Sequence, residues 1–324
     1  ERGELTLQWG NISLPFGTLA LESASVYHSQ DSWYGATEFD ALQLRNFTRM
    51  SLGRKWSGQH NSLAQGFFTY EDYSDNLNLG TPTDRVDRIP GMMVQHTYRP
   101  NEHWIAEGGV RLEHFGEYGL EPNFRGSVLY KPTYRWGFRV SSGTGFRPVT
   151  IYSLDKAVHA GFDNVVVPAA LNPERSHNVN ASISYVGAGE GGSVQLDLNL
   201  YYTGFENKAI LAFGSEAGTT VYSNAEDAYS KGAELKATVS LPGNYIIAGS
   251  GTISEMRYKN DTGWHNEEMQ NIYTGQLMLQ KSWLSKGLKA TFTTNLYGPQ
   301  HLPENRSRVK SPVFAIADIN LMKS

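Results

Sequence analysis

The 324-residue chain contains no cysteine, so disulfide frameworks and thiolate metal centres are excluded. It also lacks any apolar run approaching the 18 or so residues of a spanning helix. Its longest stretch without a strongly polar residue, Val165 to Leu171, includes Pro168. The opening Glu1-Arg2-Gly3-Glu4 is not the basic head and apolar core of a secretory signal. Net charge is only −4, with no basic block, which argues against a nucleic-acid partner. No G-x-S-x-G, H-E-x-x-H or phosphate-binding glycine loop is present, so no catalytic constellation stands out and no cofactor is expected. Gly-Glu-Gly-Gly at 189–192 reads as a turn in which glycine supplies positive φ. Hydropathy alone suggests a soluble all-β protein. A membrane β-barrel passes the same test, because only every second strand residue must be apolar.

What the chain has is alternation. Trp136, Phe138 and Val140 fall on one face against Arg135, Gly137, Arg139 and Ser141. Val179, Ala181, Ile183 and Tyr185 oppose Asn178, Asn180, Ser182 and Ser184. The same period of two runs through 104–112, 193–202, 229–241 and 288–296. It marks strands with one apolar and one polar environment. Glu, Lys and Arg at alternate positions are costly against lipid, so these faces are assigned to a lumen.

The connections alternate in size. Short ones are expected at 14–17, 54–59, 99–102, 131–133, 186–192, 241–244 and 283–287, and longer polar ones at 29–38, 72–88, 115–122, 147–173, 211–220, 257–268 and 298–311. Outer-membrane barrels show this asymmetry, with tight periplasmic turns and long extracellular loops. Tyr98, Trp104, Tyr130, Tyr134, Trp136, Tyr185, Tyr245 and Trp283 cluster beside the short turns, as an aromatic girdle at headgroup depth does.

"GTGFRP" at 143–148, a long connection, and "LNPERSHNVNASISY" at 171–185 resemble the barrel of TonB-dependent outer-membrane receptors. "SVYHSQDSWYGA" (25–36), "GGVRLEHFGEYG" (108–119), "LNLYYTGFENKAI" (198–210) and "VYSNAEDAYSKGAELKA" (221–237) extend the resemblance in chain order. It implies an all-β, antiparallel transmembrane β-barrel in the Gram-negative outer membrane. About 15 strands are expected here out of about 22 in a full receptor barrel. Residues 1–324 are then read as a barrel fragment whose plug domain and closing strands lie outside the sequence, about five strands before it and about two after it out of that total.

The resemblance implies active uptake of a scarce nutrient, a ferric siderophore or cobalamin first, with haem behind. The implied partners are TonB with its inner-membrane motor, acting through a plug, together with outer-membrane lipid and a surface lipoprotein. Three other classes remain: a structural subunit of an outer-membrane assembly or secretion complex, a passive porin and, last, a lipase-type barrel enzyme. Ligand contacts are expected on outer loops rich in aromatic and charged residues: Trp33, Tyr34, Tyr73, Arg85, Tyr118, Tyr152, His159, Trp264 and His265. Haem-transporting relatives carry a loop histidine comparable to His159, where imidazole would ligate iron. The acidic run Tyr70–Asn76 reads as the start of an outer loop, with Ca²⁺ binding as a weaker alternative to a solvated loop. Arg111, Arg125 and Arg139 are expected to face the lumen, where family ladders contact the plug, with Glu107 and Glu113 as partners. Arg147 and Glu174 are read as shaping the barrel rim rather than binding ligand.

Overall fold

The computed structural model describes residues 1–34, 37–75, 84–149, 164–166, 171–213, 219–302 and 309–323. Strands dominate them. They are β1 (Arg2–Leu14), β2 (Gly17–Tyr34), β3 (Thr37–Lys55), β4 (His60–Asp75), β5 (Arg85–Tyr98), β6 (Trp104–Phe115), β7 (Gly119–Tyr130) and β8 (Trp136–Arg147). There follow β9 (Asn164–Val166), β10 (Glu174–Gly189), β11 (Gly192–Glu206), β12 (Ala209–Phe213), β13 (Thr219–Asn224) and β14 (Asp227–Leu241). The last are β15 (Tyr245–Asn260), β16 (Gly263–Asn266), β17 (Tyr273–Trp283), β18 (Leu288–Tyr297) and β19 (Phe314–Lys323).

Fifteen of these pair with successive neighbours in one antiparallel meander from β1 to β19, matching the expected number. The strand β16 folds back on β15, and β12, β13 and β9 make a separate three-stranded sheet. Sequential antiparallel pairing is the topology of an up-and-down barrel wall. Among the described residues β1 and β19 do not pair, so the wall is open.

Two neighbouring rows across the wall show how sequence sets its faces. Ala106, Val128, Val140, Ala181, Leu200, Ala233 and Ile253 are successive cross-strand partners. One residue along, the row is Glu107, Ser127, Ser141, Asn180, Tyr201, Gly232 and Ser254. A one-residue step reverses the face of every side chain. The apolar row looks outward, with Val128, Val140 and Ile253 exposed to what is lipid in a membrane. Phe67, Thr69 and Tyr73 are buried on the inner side.

The short turns lie where the alternation placed them. β10 and β11 close at Gly189–Gly192, with Gly192 at φ 117°. The turn before β18 is a 3-10 segment, Leu284–Lys286, ended by Gly287 at φ 56°. The aromatic residues beside these turns stack along the outer face: Trp104 on Tyr130 at 4.4 Å and Trp136 against Tyr185 at 4.6 Å. Lys281, on the outer face beside them, turns back to the turn. Its Nζ donates to the Gly243 carbonyl at 2.5 Å and sits 3.7 Å from the Tyr245 ring. That is how a cation leaves hydrocarbon for the headgroups.

Several expected long connections are instead strand. The β2–β3 ladder continues to Tyr34↔Thr37, β15–β16 closes at Asn260↔Gly263, and β6–β7 turns tightly at Phe115↔Gly119. A polar stretch breaks a strand only where one face must be apolar. Beyond the bilayer both faces are wet, and the ladder runs on. For the same reason the acidic run 70–75 is the outer end of β4 rather than a loop. Its successive side chains point to opposite faces, so Glu71 and Asp72 cannot converge on one ion, and no cluster of three acidic or histidine side chains with metal-site spacing occurs among the described residues.

Candidate functional site at the outer mouth

About ten residues of a tilted strand cross the apolar band of an outer-membrane barrel. Counted from the girdle residue Tyr98, that span ends near Arg88, and outward-facing Arg88 and Asp72 mark the same level. Residues of β4 and β5 beyond it stand clear of the hydrocarbon, and the inner side there forms a mouth.

At this mouth Tyr73 pairs across the ladder with Arg85, and Glu71 with Asp87. The Arg85 guanidinium lies 2.8 Å from the Asp87 carboxylate. Gln43 Nε2 donates to Glu71 at 2.9 Å, and Arg45 is 3.7 Å away. Burial raises the Asp87 pKa above its ordinary value, opposed by Arg85 and assisted by the carboxylates of Glu71 and Glu117. Tyr118, in the β6–β7 turn, is also raised, first by burial and then by Glu117. Its ring stands edge-on to Phe146 at 5.7 Å. Arg85 and Tyr118 thus share one electrostatic neighbourhood although distant in sequence, with Tyr73 opposite Arg85 on the ladder.

The mouth is held from both sides. On β5, Gly91 leaves room for the Phe67 ring: a Cβ there would come within 2.3 Å of it. Arg111 lies over the same ring at 4.2 Å and forks onto Glu113 through two bonds of 2.7 Å. Pairing of β7 with β8 stops at Arg125↔Gly143. Above that point the Phe124 amide donates to Thr144 Oγ1 at 2.9 Å. Phe146 packs on Phe115 at 4.7 Å, and Arg175 reaches buried Glu121. Side chains therefore close the seam where the ladder opens.

The "GFRP" and "PERS" segments meet as cross-strand partners, Arg147 opposite Glu174. Glu174 is buried; one oxygen takes the Arg147 Nε at 2.5 Å and the other the Ala209 amide at 2.8 Å. Asn224 brackets the same region, bonding the Asn172 amide and carbonyl and the Asn207 carbonyl at 2.7–3.0 Å. These residues tie the rim to the β12–β13 hairpin. Their spacing in sequence did not reveal Ala209 or Asn224 as partners.

Other candidates fall elsewhere. Trp264 turns outward with Tyr229, 5.4 Å away, in an aromatic row near the outer interface, while His265 faces the opposite side, stacked on Tyr258 at 5.5 Å. Trp33 and Tyr34 end β2, with Tyr34 paired to Thr37. Tyr152 and His159 lie outside the described residues, so the haem reading has no geometry to stand on. Arg111, Arg125 and Arg139 do share the inner face but not a row: Arg125 sits opposite Gly109 and Gly143, and Arg139 opposite Leu129. The expected ladder reduces to the Arg111–Glu113 pair. Glu107 takes a bond from Thr97 instead, at 3.5 Å. Neither Arg125 nor Arg139 has an ion-pair partner among the described residues.

A family model described as TonB dependent receptor-like, beta-barrel matches residues 4–306. The chain belongs to this family. TonB-dependent receptors are outer-membrane transport proteins of Gram-negative bacteria, not enzymes. No curated protein sequence matches the chain. Among solved structures it resembles the FrpB iron transporter from Neisseria meningitidis, with TM-score 0.76 and 12% identity over 99% of this chain and 56% of that one. The siderophore receptor PirA from Pseudomonas aeruginosa superposes at TM-score 0.70 with 13% identity, over 99% and 62%. The copper transporter OprC does so at 0.73 with 15% identity, over 99% and 56%. The chain thus spans a little over half the length of most of these TonB-dependent receptors, and at such identities the likeness shows the fold.

Proposed function

We propose that residues 1–324 are the barrel portion of an outer-membrane receptor that imports a ferric siderophore with energy delivered by TonB. The carrying observation is the mouth, where Tyr73, Arg85 and Tyr118 converge on the inner side of a wall of TonB-receptor type. Aromatic edges and a fixed guanidinium suit a flat or anionic chelate. FrpB and PirA, named as an iron transporter and a siderophore receptor, have this fold and support the choice of cargo over cobalamin or haem. The wall serves binding and passage; turnover of a substrate has no place in this reading.

The test is uptake of radioiron-labelled siderophore by cells carrying the whole receptor, with and without TonB. Loss of uptake but not of surface binding in the TonB-deficient strain is the expected result. Undiminished uptake without TonB would mean a passive pore and sink the proposal. Replacing Arg85 and Tyr118 together by Ala should weaken surface binding by about tenfold, from one charged contact and one ring face.

A further inference from the structure

At the opposite end of the wall, on its outer face, a cluster of basic and aromatic side chains has no role in cargo uptake. The Arg54 guanidinium lies 3.8 Å from the Trp56 ring. Arg54 is the cross-strand partner of Ser62, Ser62 of His96, and His60 of Tyr98. Trp56 Nε1 donates to Ser62 Oγ at 2.9 Å, Ser62 Oγ meets His96 Nδ1 at 2.9 Å, and His96 Nε2 meets His60 Nδ1 at 3.1 Å. His60 is stacked on Tyr98 at 4.6 Å.

These bonds have a direction. If Ser62 donates to His96 Nδ1, His96 carries its proton on Nε2 and donates to His60 Nδ1. Every hydrogen in the chain is then used, and the last donor, His60 Nε2–H, is left pointing out of it. In the reverse polarity the Ser62 hydroxyl donates to solvent and His60 Nε2 becomes an acceptor, so an anion at the cluster selects the first arrangement. Arg54 has no ion-pair partner among the described residues and lies exposed on the same face. The cluster therefore presents Arg54 and the outer His60 nitrogen at headgroup depth with no acidic partner among the described residues, framed by amphipathic rings.

We propose that Arg54, His60 and Trp56 bind the phosphate of an anionic phospholipid in the periplasmic leaflet. The guanidinium beside the imidazole pair disfavours a metal cation there and favours an anion. The outward orientation beside the aromatic girdle selects a lipid headgroup over a free solute. The inference needs only the barrel's seat in the membrane and is independent of the cargo.

Native mass spectrometry of the whole receptor in detergent, titrated with phosphatidylglycerol or phosphatidylcholine, tests it. The expected result is retention of phosphatidylglycerol over phosphatidylcholine. Arg54→Ala should lower that retention about fivefold, the share of one basic residue near a lipid surface, while Arg54→Lys largely keeps it. His60→Gln should weaken it further. Heat-modifiable migration in gels verifies that each variant is folded. Equal retention of the two lipids, or Arg54→Ala retaining as much as wild type, overturns the proposal. So does uptake of Zn²⁺ or inorganic phosphate at Arg54 and His60 with no preference for phosphatidylglycerol.

Discussion

Glu174→Ala is the most informative single change in the wall, because the carboxylate holds two partners of unequal worth. Its side chain is 8% exposed, whereas the Arg147 side chain paired with it is 55% exposed. Solvent screening at the arginine reduces the ion pair to about 1 kcal/mol, the value of a half-exposed pair. The bond from the Ala209 amide to a buried carboxylate is worth about 1.5–3 kcal/mol. Glu174→Ala removes both and leaves a buried N–H unpaired, so the local cost is about 2.5–4 kcal/mol by the same rules. Arg147→Ala removes only the screened pair and should cost about 1 kcal/mol. Hydrogen exchange in detergent or nanodiscs reads this locally. The Ala209 amide should lose roughly 60- to 700-fold of its protection in Glu174→Ala, at a factor of ten per 1.4 kcal/mol, and about fivefold in Arg147→Ala. Equal losses in the two variants, or a larger loss in Arg147→Ala, would refute the assignment of the amide bond as the dominant contact.

Three further changes probe separate parts of the wall. Ser23, Ser25, Asn46 and Thr48 bond one another at 2.8–3.3 Å on the outer face of β2 and β3. Ser25→Ala should cost about 1 kcal/mol in thermal denaturation of the membrane-inserted protein by removing the shortest bond of the Asn46 amide, whereas changing all four to Val should be close to neutral. Gly192→Ala would place a Cβ 2.0 Å from the Ser240 carbonyl at φ 117°, so a loss of about 2 kcal/mol or more, seen as a lowered temperature of gel heat-modification, is expected. His301 titrates below its ordinary value because burial, and then Lys310, disfavour its charged form. Folding therefore favours its neutral form. The His301↔Lys310 bridge, closed by Leu302 N–H to Val309 at 3.0 Å, should therefore hold above about pH 6.5 and lose exchange protection as pH falls through the depressed value.

The faces of the wall were legible because period-two alternation is local: Val140 and Ser141 declare opposite environments without knowledge of their neighbours. The count of through-strands followed, since each short turn carries Gly, Pro or Asn. Strand ends were not legible at the outer side, where loss of the apolar face reads as loss of the strand. Trp264 shows a second limit. An aromatic residue near an outer turn reads equally as ligand contact or interface anchor, and only its register opposite Lys259 decides for the outer face. The Glu174–Ala209 bond shows a third. It joins a side chain to a backbone amide 35 residues away, and backbone donors leave no mark in sequence.

The distribution of charge along the inner face separates recognition from passage. Near the mouth the guanidiniums are matched: Arg85 with Asp87, Arg111 with Glu113, Arg147 with Glu174. A surface so neutralised exerts little net field, so steering a ligand by charge alone is weak there. Selection must come from shape, from ring faces such as Tyr118 and from the few donors left open. Further down the wall, Arg125 and Arg139 face inward across from Gly143 and Leu129, without ion-pair partners among the described residues. Both side chains are exposed on the lumen side, so water solvates them and their donors stay open to an anionic group. The inner face is thus charge-matched near the mouth and basic at the level of Arg125 and Arg139.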